Sequence, residues 1–228
     1  MTVLLDHAPE FGTAFGWTLL LIVLAWTGAV AVGTAVAAMQ LSAVRPARVF
    51  AGAYIGVFRN VPLPMQMVLF VFGLPVLGVS YPLFVFGLPV LGVSYPLFTS
   101  AVVVLVVYTS AFVAETLRSG LNTVARGEAE AARALGFGPF GLLRFVALPQ
   151  AFAAVVQPLG GVLITMVKNT SVAAVIGVAE FTFTANKVAV EESETFVVFG
   201  AAVVAYVLLG LLLGAGINAL EKKVAFQR

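Results

Sequence analysis

Four stretches of the 228-residue chain carry no charged side chain: residues 11–44, 60–114, 145–167 and 195–220, running for 34, 55, 23 and 26 residues. A helical membrane span needs about 20 consecutive, mostly apolar residues. Three windows therefore hold one span each, and the longest holds two with a turn between them. The Gly and Pro cluster between Gly73 and Pro96 supplies that turn. The pattern predicts an all-α integral membrane protein with five transmembrane helices in one domain over residues 1–228. They fall near Phe15 to Ala38, Pro62 to Leu77, Phe98 to Thr116, Ala151 to Val167 and Thr195 to Ala219. Strands are excluded on physical grounds, since an open sheet edge in hydrocarbon leaves backbone groups unpaired and no period-two run suggests a barrel.

Composition narrows the chemistry. With 61% hydrophobic and 10% charged residues there is no room for a separate soluble domain of ordinary size. Cysteine is absent and His7 is the single histidine, so thiolate and histidine metal clusters, disulfides and thiol nucleophiles are excluded. No cofactor is expected in this chain. The net charge of +2 matters less than its distribution, and no nucleic-acid partner is expected. With five spans, one face collects Arg45, Arg48, Arg59, Arg118, Arg126, Arg133, Arg144, Lys222, Lys223 and Arg228. The other has Lys168 and Lys187 beside Glu180, Glu191, Glu192 and Glu194. The positive-inside rule places the basic face and the C-terminus in the cytoplasm and the N-terminus outside, in a multi-pass protein of the cytoplasmic membrane. Asp6 and Glu10, with no early Lys or Arg, do not make the basic start of a cleaved signal peptide, so the first span is expected to stay.

Residues 70–83 read FVFGLPVLGVSYPL, and residues 84–97 repeat those letters without change. Two short copies do not make a solenoid. The duplication reads as a lengthened connection between spans two and three or as a tolerated loop insertion.

The linker between spans three and four, residues 117–150, has the sharpest pattern. Glu130, Ala131 and Ala132 are followed after three residues by Gly136, and after nine more by Val146-Ala147-Leu148-Pro149. The layout predicts helix, turn, helix. Glu128 and Glu130 sit early, where carboxylates favour a helix N-terminus, and Gly136 sits where a left-handed cap is wanted. Pro139 can open a second helix, and Pro149 is expected to stop it where span four begins. Ala131, Ala132 and Leu135 form a small apolar face flanked by Glu128, Glu130 and Arg133, suited to close approach by a partner. Equally, Phe137, Phe140 and Leu143 could lay an amphipathic pair on the membrane surface.

This linker resembles the EAA loop of the membrane subunits of ATP-binding-cassette (ABC) importers, with only Val146 replacing the family's Ile. Arg59-Asn60-Val61-Pro62-Leu63 resembles the RNxPL segment of the polar amino-acid permeases. Tyr108 to Glu115 with Arg118-Ser119-Gly120, and Lys168-Asn169-Thr170-Ser171 followed by Glu180, resemble that subfamily too. The resemblance covers roughly residues 12 to 220; the second GLPVLG copy departs from it. It implies a five-helix permease of a glutamate-type importer, pairing with itself or a sister permease around an alternating-access path. Its linker would be a coupling helix docked on a cytoplasmic ABC ATPase dimer, with contact through Glu130, Ala131, Ala132, Arg133, Leu135 and Gly136. An extracytoplasmic amino-acid-binding protein would deliver cargo. The chain has no G-x-x-x-x-G-K-[ST] loop, so ATP and Mg would be held by the ATPase, and this chain would be a transport subunit rather than an enzyme.

For the substrate path the residues offered are Lys168, Asn169, Thr170, Ser171 and Glu180. An ammonium, an amide and two hydroxyls follow a Gly160-Gly161 span, and ionisable groups beside spans are costly. Ordinary helix capping and snorkelling explain the same residues. Glu115 reads as a partner for Arg118. Gly12/Gly16, Gly52/Gly56 and Gly210/Gly214 could bring helices close, within the subunit or across a dimer. The cargo expected is a polar amino acid, glutamate first, with basic or amide amino acids as alternatives. An ion-coupled carrier is the rival class, disfavoured by five spans and few buried charges. A membrane-embedded enzyme lacks any convergent catalytic set.

Overall fold

The computed structural model describes residues 2–76, 96–123 and 125–225, and every regular element among them is helical. They include, in chain order, α1 (Thr2–Asp6), α2 (Ala8–Leu41), α3 (Arg45–Asn60), α4 (Leu63–Val68), α5 (Pro96–Leu121), α6 (Arg126–Ala134), α7 (Pro139–Leu142), α8 (Leu148–Asn169), α9 (Phe181–Glu191) and α10 (Thr195–Ala225). Four helical runs are long and apolar enough to cross a membrane: α2, α5, the run Phe140–Ile176 that contains α8, and α10. A fifth candidate is a broken one, α3 with Leu63–Val76, bent by 105°. Most of the duplicated stretch, residues 77–95, lies outside the described residues.

Three apolar clusters stack along the bundle. The central one joins Leu21, Ala25, Met67, Leu105, Met166 and Val167. A second, around Ala51, Ile55, Ala111 and Ala114, forms where α2 and α5 both end. A third, around Val188, Val198 and Ala202, sits at the start of α2 and takes in Val3 and Leu4 of α1. The α2–α5 contact is the most extensive, and small residues make it possible. A Cβ on Gly33 would lie 2.7 Å from Val113 Cβ and 2.9 Å from the Ser110 carbonyl. Gly120 is held as closely between α5 and α8, where a Cβ would meet the Ala151 carbonyl at 3.2 Å. The glycine pairs picked out by spacing behave differently. Gly12, Gly16, Gly52 and Gly56 have nothing within 4 Å of a built Cβ, and Gly210 and Gly214 meet only Ile164, at ordinary distance. Spacing reports which glycines share a face, not which face meets a helix.

The bend after α3 follows from Val61-Pro62. Proline disfavours helical backbone in the residue before it, and Val61 is extended at φ −89°, ψ 127°. Gln66, buried in α4, donates from Nε2 to the Phe58 and Val61 carbonyls at 3.0 and 2.9 Å, and Asn60 Nδ2 donates to the Gly56 carbonyl at 2.6 Å. Carbonyls at the end of α3 are thus paired by side chains. The Tyr54 hydroxyl fixes α3 to α5 through the Val107 carbonyl (3.0 Å) and Ser110 Oγ (2.7 Å).

Pro149 does not stop a helix as its position suggested. It sits at the start of α8, and the π-turn Leu143–Ala147 ahead of it joins α7 to α8 in one helical run.

Candidate functional site

The linker folds as a short helix closed by a sharp cap. Glu128 lies in the first turn of α6, at its positive end. After Ala134 the chain turns through Gly136 at φ +87°. The Phe137 N–H reaches back to the Ala132 carbonyl (3.1 Å) and the Gly136 N–H to the Arg133 carbonyl (2.9 Å). These are the paired bonds of a Schellman cap, which requires a left-handed residue at this point. α7 then opens at Pro139. Of the linker residues singled out, Ala132 is buried within the chain, while Glu130, Ala131, Arg133 and Gly136 are exposed and Leu135 is 80% exposed. Small Ala132 thus seats α6 on its own chain, and the rest face outward. Glu115 pairs with Arg118 at 2.5 Å near the same end of α5, and Arg59 lies over the Phe112 ring, 5.3 Å from its centre.

A cavity of about 410 Å³ opens between α5 and α8. Its lining includes Tyr108, Thr109 and Phe112 from α5 and Pro158, Gly161, Thr165 and Asn169 from α8. Pro158, inside α8, leaves the Ala154 carbonyl without its usual N–H partner. Thr109 is 2% exposed, and its Oγ1 has no hydrogen-bond partner among the described residues. A buried hydroxyl left unpaired costs about 1–3 kcal/mol.

Of the five residues offered for a substrate path, only Asn169 lines this cavity. Lys168 is exposed. Thr170 is fully buried and donates from Oγ1 to the Val167 carbonyl at 2.7 Å, and Ser171 Oγ donates to the Lys168 carbonyl at 2.7 Å. Successive helical side chains diverge by about 100°, so four in a row cannot share one cavity. Glu180 is fully buried and caps α9: its Oε1 accepts the Phe183 N–H (2.8 Å) and its Oε2 the Tyr206 hydroxyl (3.1 Å). Burial pushes its carboxyl above the ordinary range, against those same donors, which favour the anion. Thr182 Oγ1 meets the Tyr206 hydroxyl at 3.0 Å, and Thr18 Oγ1 accepts the Phe181 N–H at 3.0 Å. Glu180 therefore sits in a network that ties α9 to α2 and α10.

Reading the sequence for charge missed Tyr108, Thr109 and Phe112, which lie in an uncharged window. The available signal was their spacing: i, i+1 and i+4 place a ring, a hydroxyl and a ring on adjoining parts of one helix surface. The N-terminal end of α2 carries a separate polar cluster. His7 Nε2 meets Glu192 Oε1 at 3.2 Å, and Lys187 Nζ donates to Glu10 Oε2 at 3.2 Å.

Residues 29–226 match the family described as "Binding-protein-dependent transport system inner membrane component". The chain is 37% identical to the glutamate transport system permease protein GluC of Corynebacterium efficiens, over all of this chain and 99% of that protein. It is 33% identical to the probable glutamine ABC transporter permease protein GlnM of Bacillus subtilis, over 98% of this chain and 97% of that one. A crystal structure of an amino acid ABC transporter with histidines contains a chain similar at a TM-score of 0.83 and 30% identity, with 96% of each chain covered. With that match, the helical architecture and the EAA-type linker, the chain belongs to the family of inner membrane components of binding-protein-dependent transport systems, the permease subunits of ABC transporters.

Proposed function

We propose that this chain carries a polar amino acid, glutamate first, across the cytoplasmic membrane by alternating access driven by ATP hydrolysis on a partner ATPase. The observation that carries the reading is the outward surface of α6. A large apolar side chain, Leu135, stands exposed beside Glu130, Ala131 and Arg133 where the helix closes in a left-handed cap. Such a mixed apolar and charged surface suits a cytoplasmic partner, and family membership supports identifying that partner as an ABC ATPase dimer. Ten of the basic residues fall on the side of this linker, which supports a cytoplasmic linker and C-terminus and an N-terminus outside. A second permease subunit, identical or a sister, would complete the path, and a binding protein would deliver cargo to the opposite face.

The cavity between α5 and α8 supports a cargo path. A ligand carbonyl or carboxylate there would find the Asn169 amide. The 37% identical glutamate permease supports glutamate, and the glutamine permease keeps an amide cargo as the second reading. Uptake of labelled glutamate in cells lacking this chain and resupplied with it tests both. ATP-dependent uptake blocked by aspartate supports the first reading, blockage by glutamine the second, and no ATP-dependent uptake of any amino acid refutes the proposal.

A further inference from the structure

The path by which a push on α6 reaches the membrane-spanning helices is not the backbone alone. Between α6 and α8 the chain runs through the left-handed turn at Gly136, the four-residue α7 and a π-turn. Each is a place where a swing of α6 could be absorbed. A side chain bridges the gap: Gln150, in the first turns of α8, donates from Nε2 to Glu128 Oε2 of α6 at 2.6 Å. Seven residues further along α8, about two turns, Gln157 repeats the arrangement. With its amide nitrogen turned to the carboxylate, it donates to Glu221 of α10, 2.8 Å from Oε1. Two glutamines on one side of α8 thus each hold a glutamate on a different element.

We propose that Gln150 is a positioning residue for transport, holding α6 to α8 so that displacement of α6 is passed to the spanning helix rather than lost at Gly136, with Gln157 passing it on to α10. The inference rests on reading α6 as the ATPase contact. The chemistry fits the task. A glutamine donates to a carboxylate without neutralising it, and a charge-assisted hydrogen bond is short and directional. Ala132, the buried residue on α6 itself, adds packing but its side chain supplies no directional bond.

The test uses the complete transporter, with its own ATPase and permease partners, in proteoliposomes. The readouts are uptake of a labelled mixture of the twenty amino acids and ATP hydrolysis by the same sample. Gln150→Glu sets like charges opposite each other at residues 128 and 150. The expected result is about a tenfold rise in ATP hydrolysed per amino acid carried, with the ATPase still co-purifying; tenfold corresponds to about 1.4 kcal/mol. The exchanged pair Glu128→Gln with Gln150→Glu restores the donor–acceptor bond and should return the ratio to within about twofold of the unaltered protein. An unchanged ratio in Gln150→Glu, or an exchanged pair as poor as the single variant, overturns the proposal. A residue that only packs would lower the amount of assembled complex and leave the ratio alone, and that outcome overturns it as well. If the unaltered complex hydrolyses ATP without uptake or binds no ATPase, the underlying reading of α6 fails and the proposal with it.

Discussion

Gly136 offers a clean separation of backbone from surface effects at the linker. Its φ of +87° lies in the left-handed region, and nothing stands within 4 Å of a Cβ built there. Substitution by alanine therefore meets no steric obstacle, and the whole cost is conformational, about 1–2 kcal/mol for an L-residue held left-handed. That amounts to roughly a 5- to 30-fold fall in the population with the cap closed, because the bonds from Phe137 and Gly136 back to Ala132 and Arg133 form only in that conformation. Asparagine visits this region more readily, so Gly136→Asn should lose less than Gly136→Ala. Gly136→Asp matches asparagine in backbone terms, and any further loss measures the charge itself at the docking surface. Gly138 has open space and no positive φ, so Gly138→Ala is the control. The assay is the apparent affinity of detergent-purified permease for its ATPase, titrated by co-purification. The expected order is Gly138→Ala equal to the unaltered protein, then Gly136→Asn, then Gly136→Ala, with Gly136→Asp below Gly136→Asn. Alanine at 136 binding as well as glycine, or better than asparagine, would refute the reasoning.

Three further outcomes follow from the geometry. Gly33→Ala overpacks the α2–α5 contact, with a cost of about 2 kcal/mol; this is about 4–8 °C in thermal unfolding for a chain of this size, whereas Gly56→Ala, in open space, should shift it little. Thr109→Val removes an unpaired buried hydroxyl, so unfolding temperature should hold or rise; a clear fall in temperature would contradict the reading that this hydroxyl has no partner. The hydrogen bond to Glu192 is the main cause that raises the pKa of His7 above 6.5, aided by the charges of Glu10 and Glu192 and opposed by desolvation. The protonated form is thus favoured by the fold, and the contact is fully present below pH 6.5 and lost as pH rises through the raised value. The single histidine resonance should titrate above 6.5 and return toward it in Glu192→Gln.

Much of the architecture was legible in the chain because lipid imposes strict rules. Uncharged windows mark α2, α5, α8 and α10, and the EAA pattern marks α6, its cap at Gly136 and the opening of α7 at Pro139, since each depends on local backbone chemistry. What was not legible depends on tertiary contact. The break at Val61-Pro62 needed Gln66 to pair the carbonyls at the end of α3, and a lone glutamine in an apolar window carries no such message. Pro149 reads as a stop until the π-turn ahead of it places it at the start of α8. Lys168, Thr170 and Ser171 drew notice as a polar run, yet the cavity takes only Asn169 from that run and draws hydroxyl and ring groups from a helix 60 residues earlier. Glu180 drew notice as a charge beside spans, and its buried position ties it to Tyr206, distant in sequence but close in the fold.

The most direct test of ATP-driven amino-acid transport is uptake into proteoliposomes containing the complete transporter, with glutamate labelled and ATP supplied on the side of α6. The account predicts accumulation that needs hydrolysable ATP on that side, persists when ion gradients are collapsed, and is lost with Leu135→Asp on the exposed face of α6. Uptake driven by an ion gradient without ATP, or unaffected by that change, would contradict it.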